Sequence, residues 1–96
     1  MANYPELVKD LKEKGEVSFI VHGNSMTPKI KNGEKVTVSS DISDVKKGDV
    51  VFCKVKGTYY VHLVKAIKNG QWLIGNNHGH DNGWTSQVFG KVIHHE

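Results

Sequence analysis

No arginine occurs among the 96 residues; all 13 basic positions are lysine. The planar fork that reads guanine edges and phosphates is therefore missing, which argues against a nucleic-acid partner. A single cysteine, Cys53, excludes an internal disulfide framework and any zinc site built from several thiolates. No apolar run approaches the ~20 residues of a membrane span, and nothing near the N-terminus has the form of a signal peptide. The expectation is a soluble, cytoplasmic chain with no membrane span. The charge surplus is only +3, and the lysines are scattered among Glu6, Asp10, Glu13, Glu16, Glu34, Asp44 and Asp49. Such mixing reads as a solvated face rather than a basic recognition patch.

What is present is enough for a globular fold. Apolar residues make up 38% of the chain and charged residues 24%. A chain of this length buries roughly 60–70% of its unfolded surface, enough for one small core. We expect a single domain over 1–96, with a helix in 1–15 and a β core in 16–96.

Pro5 suits a first helical turn, Leu7, Val8 and Leu11 form an apolar stripe, and Gly15 can end the helix in the left-handed conformation. After Gly15 the period changes to two. Val17, Phe19 and Val21 alternate with Ser18, Ile20 and His22, and Lys35–Ser39 reads as a second strand. Asp49–Lys56 and Thr58–Ile67 form a hairpin around Lys56-Gly57, and Asn69-Gly70 turns the chain into Gln71–Ile74. A loop rich in Gly, Asn and His spans Gly75–Gly83, and Gln87–His94 supplies a last strand. These segments predict a mainly β fold of about six short strands. A small coiled sheet or partly open barrel with one peripheral N-terminal helix fits them best.

The most unusual segment is Gly23-Asn24-Ser25-Met26-Thr27-Pro28. Glycine and proline fix a sharp bend after a strand, so Ser25 can present its hydroxyl while neighbouring N–H groups point outward to an oxyanion. The plainer reading is a polar loop whose serine caps a short helical turn over Thr27–Lys31.

In this order, the segments resemble the clan of serine peptidases that holds LexA-type repressor domains and type I signal peptidases. Gly23, Ser25, Met26 and Pro28 match its nucleophile box, and Gly48-Asp49 before Val50-Val51-Phe52 matches its Gly-Asp strand. Gly75-Asn76-Asn77 through Asp81 looks like a degenerate late box, and Gly90-Lys91-Val92 like the closing strand. The resemblance covers about Val17–Ile93 and implies the coiled-sheet catalytic core of that clan. It implies Ser25 as nucleophile, with Asn24 and Met26 at the oxyanion and substrate site.

Where the clan most often carries a lysine base, this chain has His62, as the endoplasmic-reticulum and archaeal signal peptidases do. An imidazole with an ordinary pKa near ~6.5 is largely neutral at pH 7 and can take the serine proton without the desolvation a lysine needs. Lys65 is the rival base, but strand alternation puts it on the face opposite His62, so only one of the two can meet Ser25. A third group accepting the imidazole N–H would fix its tautomer. Asp81 is the only carboxylate between Asp49 and Glu96 and is the candidate. The simplest alignment, however, puts Asn76 and Asn82 where acids are expected. Asp81 completes a triad, or it makes an Asx turn beside Asn82-Gly83 and the site is a Ser–His dyad.

Other residues carry less. His78-x-His80 with Asp81, and His94-His95, lack the company of a metal site, so no metal and no cofactor is expected. Cys53 in an apolar strand reads as a small buried hydrophobe. Met26 lines a pocket or anchors its loop. Trp72 and Trp84 read as partly core.

The resemblance implies a serine endopeptidase with a peptide or protein substrate lying extended along a strand edge, a small residue before the cleaved bond. With about 16 residues ahead of the first strand there is no helix-turn-helix and no Ala-Gly cleavage pair, so cleavage in trans is expected. The alternative is a catalytically silent peptide-binding module of the same fold.

Overall fold

The computed structural model describes residues 3–96; Met1 and Ala2, the start of the expected helical segment 1–15, lie outside the described residues. The helix, Tyr4–Lys14 (α1), is capped at both ends by its own sequence. The Asn3 side chain accepts from the Glu6 N–H, and Gly15, at φ 81°, donates its N–H to the Leu11 carbonyl. Glu6 in the first turn and Lys12 and Lys14 in the last complement the helix dipole. Leu11 is fully buried and fastens the helix to the sheet.

Seven strands follow: Glu16–Ile20 (β1), Lys35–Ser39 (β2), Val50–Val55 (β3), Thr58–Lys68 (β4), Gln71–Gly75 (β5), Asp81–Thr85 (β6) and Val88–His95 (β7). They form one sheet in the order β1-β2-β7-β3-β4-β5-β6, and every neighbouring pair is antiparallel. The sheet is open but strongly coiled. Thr85 Oγ1 at the end of β6 donates to the Lys54 carbonyl on β3 at 2.6 Å, and the Lys54 N–H donates to Gln87 O at 2.9 Å. The coiled, mainly β architecture with one helix agrees with the sequence. Among the described residues no helix is long and apolar enough to cross a membrane.

Coiling explains why β3 opens on four consecutive apolar residues, Val50–Cys53. Val50 and Phe52 enter one core, with Leu11, Phe19, Met26, Ile30, Val36, Val38 and Leu63. Val51, Cys53 and Val55 enter the other, with Val64, Ile74 and Val88. A strand covered on both faces has no polar alternation to show. Gly90 on β7 permits the closest crossing: a Cβ there would fall onto Val38 Cγ1 and the Ser39 carbonyl.

The strand count differs from expectation because of β6, whose sequence Asp-Asn-Gly-Trp-Thr shows no apolar alternation. It is a strand by tertiary pairing, Trp72 opposite Thr85 and Leu73 opposite Trp84. Trp72 packs against the core as expected, whereas Trp84 lies at the sheet edge, 42% exposed and outside both core clusters.

β4 is the longest strand, and its two halves have different neighbours. Thr58–Leu63 pairs with β3, while Leu63–Lys68 pairs with β5. Among the described strands none pairs with the second edge of Thr58–His62. The Gly-Asp pair closes this hairpin: Gly48 N–H donates to Val64 O at 2.8 Å and Val64 N–H to Asp49 O at 2.9 Å.

Candidate active site

The segment after β1 bends back on itself and delivers Ser25 to the unpaired edge of β4. Val21 N–H donates to Glu34 O, Gly33 N–H to Val21 O, and Gly23 N–H to the Asn32 side chain, at 3.0, 2.9 and 2.8 Å. Gly23 has φ 96°, a left-handed conformation that few side chains tolerate. Met26 and Ile30 are buried in the core and pin the far side of the turn, and both also line the cleft beside Ser25, so Met26 meets the two roles at once. A helical turn does follow, with Ile30 N–H donating to Met26 O. Ser25 does not cap it.

Instead, Ser25 Oγ lies 3.0 Å from His62 Nε2, although 37 residues separate the two in sequence. His62 Nδ1 is 2.7 Å from Asn82 Oδ1. An amide oxygen only accepts, so the imidazole proton is on Nδ1 and the unprotonated Nε2 accepts from the serine hydroxyl. This is the tautomer a general base requires. The Tyr60 ring stacks on the same imidazole, centroids 4.7 Å apart. Burial holds the His62 pKa below its ordinary 6.5; the Asn82 hydrogen bond opposes this, and His80 nearby adds a smaller lowering.

Asp81 does not fill the place expected of it. Ile74 pairs with Gly83 and Gly75 with Asp81, so Asn82 is the extra residue of a β-bulge, and it is Asn82 that reaches the imidazole. The Asp81 carboxylate lies over Gly75, where a Cβ would stand 2.8 Å from Oδ1. The late box thus contributes Asn82 rather than Asp81 to the imidazole. Lys65 also points elsewhere, its Cε passing over Gly75.

Asn24 contributes through its backbone: its carbonyl accepts from Thr27 N–H at 3.2 Å, Thr27 Oγ1 at 2.9 Å and His78 Nε2 at 2.9 Å. No backbone carbonyl among the described residues takes the N–H of Ser25 or Met26. His78 is spent on this turn, and His95 pairs with Glu34 at 2.8 Å. Cys53 is fully buried, and burial pushes its thiol up to about 12, so it offers no thiolate.

Beside Ser25 and His62 opens a cleft of about 300 Å³, walled by Val21, His22 and Gly23 on one side and Tyr59, Tyr60 and Val61 on the other. Tyr4 of α1 closes one end, stacked on Tyr59 at 5.5 Å. The hairpin and the serine turn are legible in sequence, but Asn82, Tyr4 and the stacking role of Tyr60 are not. Only Asn82 left a signal, by standing where the late box expects an acid.

A protein-family model described as Peptidase S24-like matches residues 3–93. No curated protein matches the chain.

Proposed function

This chain belongs to the Peptidase S24-like family, and we propose from that premise that it is a serine endopeptidase acting in trans, with Ser25 as nucleophile and His62 as base. The observation that carries the proposal is the 3.0 Å contact between Ser25 Oγ and His62 Nε2 at the mouth of an open cleft. Ser25 Oγ attacks the scissile carbonyl as His62 takes its proton, and the N–H groups of Ser25 and Met26 receive the oxyanion. His62 returns the proton to the leaving amine, and water, deprotonated by the same imidazole, releases the acyl group. Asn82 holds the ring in register and stabilises the imidazolium by one neutral hydrogen bond. The substrate lies extended between Val21–Gly23 and the unpaired edge of β4, where main-chain pairing supplies affinity.

Fluorophosphonate labelling tests this. Intact-mass spectrometry is expected to show one adduct on the wild-type chain and none on Ser25→Ala. A wild-type chain that takes no label while still binding peptide would be the silent module of the same fold.

The pH profile follows from the base. Only neutral imidazole accepts the proton, and burial lowers its pKa, so labelling is expected to fall on the acid side with a midpoint below 6.5. Asn82→Asp puts a carboxylate on Nδ1–H, which favours the imidazolium, so the midpoint moves up and the plateau rate rises. A midpoint that does not move would show that residue 82 does not act on His62.

A further inference from the structure

The loop between β5 and β6 grips the serine turn from behind. Asn77 N–H donates to Ser25 O at 2.9 Å, and Asn77 Nδ2 donates to Thr27 O at 3.1 Å. His78 Nε2 donates to Asn24 O at 2.9 Å and lies 3.2 Å from Thr27 Oγ1. Because Thr27 Oγ1 gives its own proton to Asn24 O, it stands to His78 as an acceptor. Three anchor points, the carbonyls of residues 24, 25 and 27, are held by two loop residues.

The loop itself is stiff. Asn76 N–H donates to His80 O at 2.8 Å, and Asn76 Oδ1 accepts from His78 N–H and His80 N–H at 2.8 and 3.0 Å. At its base Gly75 packs so tightly that a Cβ would stand 2.6 Å from His80 O. A loop with this internal bonding transmits its position to whatever it holds.

What it holds is the orientation of two peptide planes. In a trans peptide the C=O and the following N–H point in opposite directions across one rigid plane. Fixing Asn24 O toward His78 therefore aims the Ser25 N–H the other way, and fixing Ser25 O toward Asn77 does the same for the Met26 N–H. Neither N–H has a backbone acceptor among the described residues. Donors placed before charge develops cost no reorganisation when it does.

We propose that the His78 ring and the Asn77 backbone N–H are positioning groups that aim the Ser25 and Met26 N–H groups as an oxyanion hole. Neither touches the reacting atoms. The assignment rests on the endopeptidase reading and adds to it the part of the chain that sets the geometry of the hole.

The test is the rate of fluorophosphonate modification, resolved into a maximal rate and a half-saturating concentration, for wild type, His78→Ala and His78→Gln. His78→Ala is expected to lower the maximal rate by at least about tenfold, since small misplacements of preorganised groups are costly. The half-saturating concentration stays unchanged. Gln places an N–H donor at similar reach, so His78→Gln recovers most of the loss. An NMR titration of His62 is read in parallel and keeps its midpoint in both variants, because the base lies on β4 and is held by Asn82 on β6. Wild-type rates in His78→Ala, a shifted His62 midpoint, or no recovery in His78→Gln overturn the assignment while leaving Ser25 and His62 in their roles. A wild-type chain that takes no label overturns both.

Discussion

His62→Ala is expected to slow modification of Ser25 by about 10³-fold, the scale set by loss of a positioned general base. The geometry gives Ser25 one proton acceptor: Nε2 at 3.0 Å, with the imidazole proton committed to Asn82 on the opposite nitrogen. Lys65, on the same strand, is directed over Gly75 and cannot substitute. Residues that act as one unit are strongly non-additive. With a cleavable peptide, Ser25→Ala, His62→Ala and the double variant should therefore lose similar amounts, each roughly 10³-fold or more. Time courses by intact mass and by peptide hydrolysis measure the two effects. A His62→Ala chain that labels at the wild-type rate would remove the imidazole from the mechanism.

The second large effect is on stability. Phe52→Ala is expected to cost about 3–5 kcal/mol, from lost burial plus the cavity left behind. Phe52 is fully buried, and its ring meets Phe19, Phe89, Tyr4 and Tyr59 at centroid distances of 5.2, 5.6, 6.0 and 6.1 Å. These four rings come from β1, β7, α1 and β4, so one side chain ties the helix and three strands together. A domain stable by roughly 5–15 kcal/mol would lose a large fraction of its margin. Ile93→Ala, at a site 53% exposed, should change stability by no more than about 0.5 kcal/mol. Denaturant midpoints of the two variants measure the contrast, and equal midpoints would contradict the packing described.

How much of this is legible in the sequence varies with the kind of interaction. Lys35–Ser39 is read to the residue because its apolar positions alternate and one face is buried. The helix is read because its first-turn proline, apolar stripe and terminal glycine agree. The strand Asp81–Thr85 escapes because nothing local favours it; its partner β5 and the bond from Thr85 to Lys54 make it extended. The same blind spot moves the imidazole's partner by one residue. A search for a carboxylate finds Asp81, but the bulge at Asn82 follows no local pattern, and an amide oxygen accepts an N–H as readily. The grip of Asn77 and His78 on the serine turn spans about fifty positions and follows no pattern that a sequence window can hold.

The split pairing of β4 also decides what can approach the serine. A cleft of about 300 Å³ has room for one ribbon of polypeptide, whereas a strand still built into its own sheet brings neighbours and a packed layer with it. If Ser25 acts as proposed, natively ordered targets would be turned away by bulk. Vulnerability would then be a matter of local looseness in the target as much as of its residues, and tails, linkers and melted segments would be the stretches within reach.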